Sequence, residues 1–305
     1  MTAVSEPAGL SRQGWASEHL ALLVCIQLLW GVNWIACKIA VTDIPPMLLM
    51  AFRFGITFAC LWPFMRWHPG QMRLLLLGCL FTGPLSFGTG FAGLALAKDI
   101  APLAVASNLS VPFATLLSTM FLGERIGIWR GGALILAFGG VLLIGFDPKV
   151  LGYSHALALQ ITSAFTWAVA AIFLRRVKGV GAYDMQAWVA LATWPPMLLA
   201  SLAFEPEPIG VIRHASVAAW LSLAMIVVGA TLIGHAGFFF LLRRYPIPMM
   251  APFLLLAPVI GALLGVAWFG DTLTWRMVVG GTVALAGVLI ITIREGRKKA
   301  RKVSG

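Results

Sequence analysis

The stretch LLWGVNWIACKIAV (28–41) sets an amide, Asn33, and an ammonium, Lys38, into an otherwise apolar run. Trp30 stands three residues from Asn33 and four from Trp34, and Trp34 four from Lys38, which gathers them on part of one helical face. Amide, indole and ammonium together suit a zwitterion: its carboxylate meets the cation while its side chain lies against an aromatic ring. Lys38 has a plainer role open to it, with its stem in lipid and its ammonium lifted to the head groups.

Softer candidates follow. Ser86, Thr89 and Gly90 accompany Pro84, and Ser107, Asn108 and Ser110 precede Pro112. A proline inside a membrane helix frees carbonyls, which is tolerated where protein or water can satisfy them. Small polar residues also serve as glue between helices. On this basis Ser86, Thr89 and Asn108 join the expected pocket, with Gln160 and Trp167 from the sixth apolar run and Gln186 on the seventh as a further candidate. His235 is either a pocket donor or proton-sensitive gate, or a packing histidine bonded to neighbouring backbone. Arg53, on the second run, could bind substrate, but it is expected to pair structurally with backbone carbonyls or a loop carboxylate, because membrane charges seldom stay unpaired.

Other chemistry is poorly provided for. Each of the eleven carboxylates falls in a tail, a loop or a helix end, so no titrating acid sits at mid-membrane. The five histidines show no ligand spacing and no nucleophile–base motif is present, which argues against an enzyme, a metal centre or a bound cofactor. Cys25, Cys37, Cys60 and Cys79 lie in apolar runs without a CxxC pair and read as small buried hydrophobes.

The elements that must position these groups are membrane helices. Of 305 residues, 60% are hydrophobic and 11% charged, against roughly 25% charged in soluble domains. Ten apolar runs approach the roughly 20 residues that cross a bilayer: 20–41, 45–66, 71–96, 101–122, 130–146, 154–175, 182–204, 215–241, 247–269 and 275–293. With the amino terminus inside, sixteen of the 22 basic residues fall in inner segments. Four, Lys98, Lys149, Arg213 and Arg276, fall in outer ones. That asymmetry puts both termini in the cytoplasm. The net charge of +11 therefore points to a lipid surface, gripped by the basic tail 294–305, and not to nucleic acid.

The chain also resembles itself. FTGPLSFGTG (81–90) lies over IVVGATLIGHA (226–236), and IAPLAVASNLSVP (100–112) over YPIPMMAPFLLLAP (245–258). FLGE (121–124) matches WFGD (268–271), and WGVNWIACK (30–38) lies over WAVAAIFLR (167–175). Five helices are an odd number, so a second copy enters the membrane inverted, as in many secondary transporters. The glycine pairs at 131–132 and 139–140, with Gly280, Gly281 and Gly287, read as close-packing faces that hold helices 5 and 10 to the bundle or support a dimer.

WGVNWIACKIA, the following IPPMLLMAFRF, the LGE at 122–124 and the glycine-rich fifth run resemble the EamA-type transporters of the drug/metabolite transporter superfamily, over nearly the whole chain. The pattern is similar to amino-acid exporters of the YddG kind. The resemblance implies two five-helix units, a central cavity lined by helices 1, 3, 4, 6, 8 and 9, and peripheral fifth and tenth helices. Asp271 replaces the glutamate of the LGE-like motif.

The expectation is thus an all-α polytopic protein: a tail 1–19, inverted repeats at 20–146 and 154–293, and a basic tail 294–305. As an inner-membrane carrier, monomeric or homodimeric, it exports small metabolites, most of all amino acids including aromatic ones, by rocking of its repeats, without a coupled ion. An efflux carrier for lipophilic cations and a non-transporting scaffold or sensor are the alternatives.

Overall fold

Lipid offers no hydrogen-bond partners, so a chain this apolar must satisfy its backbone within each span, and helices do so. The computed structural model describes residues 16–122, 127–242, 244–245 and 247–303. The tail 1–15, with Arg12, and Glu124, Arg125 and Arg243 lie outside these ranges.

Among the described residues ten helices are long and apolar enough to cross a membrane, and no strand occurs. They are α1 (Ser17–Asp43), α2 (Pro46–Phe64), α3 (Met72–Leu96), α4 (Ala101–Phe121), α5 (Ile128–Gly145), α6 (Ser154–Leu174), α7 (Ala182–Phe204), α8 (Val217–Phe238), α9 (Pro252–Phe269) and α10 (Trp275–Arg294). The expected runs coincide with these to within a few residues; a helical turn from Ile247 precedes the apolar stretch of α9. Local chemistry sets the ends. Pro46 opens α2, where a missing N–H costs nothing. Ser216 caps α8 by accepting the Ala219 N–H. Gly270, at φ +70°, closes α9 in the left-handed conformation that favours glycine.

Four spans are interrupted, in matched pairs. In α3 the segment Phe81–Phe87, containing Pro84, winds as a π-helix, and in α8 Met225–Gly234 does the same. Such wider turns leave carbonyls to be met from elsewhere. α4 breaks at Asn108 and Leu109, and α9 breaks at Leu255. Pro112 and Pro258 explain both breaks: neither has the N–H that would reach back four residues, to Asn108 and Leu254.

The principal helix contacts follow one pattern. α1 packs on α8 and α9, α6 on α3 and α4, α2 on α7, and α5 on α10. Exchanging each helix for the one five places along the chain leaves this set unchanged. The α5–α10 contact is backbone against backbone. A Cβ on Gly140 would lie 2.4 Å from the Gly280 carbonyl oxygen, and one on Gly287 would lie 2.6 Å from the Ala133 oxygen. By contrast, a Cβ on Gly132 or Gly139 meets nothing within 4 Å, so only one residue of the 139–140 pair serves the packing. Two of the four cysteines, Cys25 and Cys60, are exposed on the bundle exterior, a correction to the expectation that all four are buried; the apolar exterior they face suits a weakly polar thiol equally well.

Gly140→Val should therefore push α5 off α10 and destabilise the protein by about 1–3 kcal/mol, whereas Gly139→Val should be near neutral. Thermal unfolding of the two variants in detergent, side by side, checks this.

Candidate functional site

A cavity of ≈ 250 Å³ lies where α1, α2, α3, α4 and α6 meet. α1 contributes Asn33, Trp34 and Cys37; α2 contributes Arg53; α3 contributes Ser86, Phe87, Gly90, Phe91 and Leu94. α4 adds Ser107 and Ser110, one on each side of its break, and α6 adds Gln160, Ser163, Ala164 and Trp167. The lining combines hydroxyls and two amides with large aromatic faces. Gly90 lets α6 approach, since a Cβ there would come within 2.9 Å of Ser163 Oγ.

Of the residues picked from sequence, Asn33, Ser86, Gln160 and Trp167 are brought together here. Asn33 is half-buried, and its Oδ1 has no hydrogen-bond partner. Ser86, in the π-helical turn of α3, donates to the Ser163 carbonyl at 2.9 Å and lies 3.2 Å from Ser163 Oγ. Gln160 is buried. Trp167 is 40% exposed and meets Phe87 edge to face.

The remaining picks stand elsewhere. Trp30 Nε1 donates to the Ala230 carbonyl at 3.1 Å, and its ring lies 5.7 Å from that of His235. His235 Nδ1 donates to the Thr231 carbonyl at 3.0 Å. Both thus serve the α1–α8 contact and the carbonyls of the π-helical stretch. Thr89 bonds back to Leu85 O, and Asn108 Nδ2 donates to Ala104 O at the break in α4. Gln186 does not line the cavity.

Lys38 points away from Asn33. At about 100° per residue, positions five apart stand about 140° apart around a helix, so the face drawn through 30, 33, 34 and 38 splits in two. The Lys38 ammonium donates to the carbonyls of Leu94, at 3.1 Å, and of Ala97, where α3 ends. Cations at that helix end meet the negative pole of the dipole.

Around the α3–α4 loop a polar network joins both halves of the sequence. Lys149 pairs with Asp99 at 3.2 Å and bonds Thr272, Tyr153 donates to Asp99 at 2.8 Å, and Thr274 donates to Asp147. Asp271 accepts the Ile100 N–H at 2.8 Å, and Gly265 leaves room for it, since a Cβ there would lie 2.6 Å from Asp271 Oδ2. Burial pushes the Asp271 carboxyl above its ordinary 3.8; the Ile100 N–H pulls the other way and Asp99 adds to the rise. Burial, followed by the Asp99 contact, also raises Tyr153.

Arg53 is what the sequence reading misplaced. Its Nη2 donates to Thr231 Oγ1 at 3.1 Å, and its guanidinium lies 5.1 Å from the Phe87 ring centroid and 5.7 Å from that of Phe91. Neither a backbone carbonyl nor a loop carboxylate holds it among the described residues. α2 is thereby a cavity helix, while no residue of α8 or α9 appears in the lining. The available signal was its depth: an arginine well inside an apolar run with no carboxylate three or four residues away.

The model of the EamA-like transporter family matches the chain twice, over residues 19–146 and 155–293. The chain belongs to the EamA-like transporter family. It is 30% identical over 303 residues to a "Probable amino-acid metabolite efflux pump" of Salmonella typhimurium, a match covering 94% of this chain and 98% of that protein. The protein of the same description from Escherichia coli is 29% identical, covering 93% of this chain and 97% of its own length. The uncharacterized transporter YoaV of Bacillus subtilis is 21% identical, with 91% and 97% covered. A solved crystal structure superposes with a TM-score of 0.61 at 21% identity, covering 93% of this chain and 99% of that one, and shares its fold. Each match of the EamA model takes in five spans, α1–α5 and then α6–α10. This EamA chain is thus a multi-pass membrane transporter.

A carboxyl whose folded pKa is raised favours the folded state when protonated, and that advantage fades as pH climbs from 3.8 through the folded value. The unfolding temperature of the unmodified protein should therefore decline across this range relative to Asp271→Asn, which keeps an oxygen for the Ile100 N–H but does not titrate. Parallel melts from pH 4 upward test it; identical slopes would count against the burial argument.

Proposed function

We propose that the chain exports small metabolites, chiefly amino acids including aromatic ones, across a bacterial inner membrane by alternating access. The observation that carries this is the cavity lining: amides and hydroxyls beside Trp34, Phe87, Phe91 and Trp167, deep among membrane helices. Asn33, Ser86 and Gln160 would bond the polar end of the substrate, and Trp167 would lie against its side chain. Trp30, Lys38, Thr89, Asn108 and His235 support the surrounding helices. The relatives described as amino-acid metabolite efflux pumps are consistent with this substrate class.

The two matched units, at 20–146 and 154–293 by the sequence reading, are proposed to be inverted copies with both termini cytoplasmic. An odd number of spans in each unit and the exchange-invariant helix contacts support that arrangement. Transport is proposed to run down the substrate's own gradient. Among the described residues no carboxylate lines the cavity, and a mid-membrane acid is the usual carrier of a coupled proton. The same lack disfavours lipophilic cations, which need a buried anion as partner. A scaffold or sensor would give no flux.

In proteoliposomes, phenylalanine counterflow should proceed without a proton or sodium gradient. Trp167→Ala should raise KM for aromatic amino acids about tenfold, the cost of one lost aromatic contact, with a smaller effect on alanine. Flux that requires an imposed ion gradient would contradict the uncoupled mechanism, and absence of any saturable flux would contradict transport itself.

A further inference from the structure

Arg53 is 4% exposed, and it alone among the described lining residues carries a charge. Thr231 takes one of its donors, the Phe87 and Phe91 rings face its guanidinium, and its Nε has no hydrogen-bond partner. Among the described residues, neither the Asp99–Lys149 ion pair nor the His68–Asp184 contact engages it. A desolvated cation held, among the described residues, by a hydroxyl and ring faces is under-compensated, and an anion entering beside it recovers the deficit. A guanidinium presents its donors in a fixed fork that matches a carboxylate.

The other end of a zwitterion is served less well. An ammonium would find only neutral oxygens, such as the unpartnered Asn33 Oδ1 and the Gln160 amide, because no described lining residue is acidic. A zwitterion therefore leaves the cavity with its net positive charge, whereas a singly charged organic anion cancels it. We propose that Arg53 is the carboxylate-binding residue, and that the cavity takes aromatic monocarboxylates with or without an amino group while rejecting the corresponding amines. This rests on the reading of the cavity as the substrate site and narrows it to a charge class.

Three probes with the same ring and chain separate the groups: L-phenylalanine, 3-phenylpropionate, which lacks the ammonium, and phenethylamine, which lacks the carboxylate. Their binding is measured by ligand-dependent thermal shift on the full chain in detergent, which requires no transport. 3-Phenylpropionate should bind at least as tightly as phenylalanine, and phenethylamine at least about tenfold more weakly, a discrimination worth one charge-assisted contact. Arg53→Gln should weaken both carboxylates about tenfold or more and abolish the discrimination, while Arg53→Lys, which keeps the charge but not the fork, should retain part of it. Phenethylamine binding as well as 3-phenylpropionate, no binding of 3-phenylpropionate, or a folded Arg53→Gln protein with unchanged affinities would each overturn the proposal. Should Arg53→Gln fail to fold, the three-probe comparison on the unmodified protein and on Arg53→Lys decides it. Carboxylate-selective binding without counterflow would sink the transport reading and leave this one standing.

Discussion

In a hydrocarbon solvent an unanswered carbonyl or N–H costs several times what it would cost at a wet surface, so every interruption of a helix ladder here has to be matched from a neighbouring side chain. The structure does this in α8 and at the break in α4. Thr231 bonds the Ile226 carbonyl and Trp30 the Ala230 carbonyl in the π-helical stretch of α8, while Asn108 returns to Ala104 at the break in α4. Ser86 does the converse in α3, reaching out of its own wide turn to the Ser163 carbonyl on α6. These requirements fix which faces of α1, α3, α4, α6 and α8 look inward, and the cavity is what remains between them.

Thr231 joins this backbone repair to the site. Its hydroxyl donates within α8 and accepts from Arg53 on α2, so the irregular turn also supports the buried cation. The placement of the cavity's charged residue thus rests on a hydroxyl outside the cavity lining.

Much of the fold was legible because bilayer thickness turns hydrophobicity into length: the ten apolar runs found in sequence are the ten helices. The duplication was legible for a related reason, since Gly83 and Gly229, and Pro112 and Pro258, mark the matched irregularities at which helices approach or break. The site was legible only in part. Asn33, Ser86, Gln160 and Trp167 could be found as polar or aromatic residues at mid-span. Lys38 was misjudged because neighbours at spacings of three and four drift around the helix as they accumulate. Arg53 was misplaced because the rule that buried charges are paired pointed to backbone carbonyls or a loop carboxylate, whereas a hydroxyl and ring faces meet it. His235 and Trp30 satisfy backbone carbonyls that exist only once the π-helix is known.

The α5–α10 and α2–α7 contacts each join a helix of one matched unit to a helix of the other. The first is drawn so tight by Gly140 and Gly287 that a Cβ on either would meet the facing backbone. Two such dovetails clamp the halves together along separate seams, and wholesale separation of one half from the other would have to tear them. For the alternating access proposed above, this favours flexure of the interrupted helices α3, α4, α8 and α9 over rocking of whole repeats.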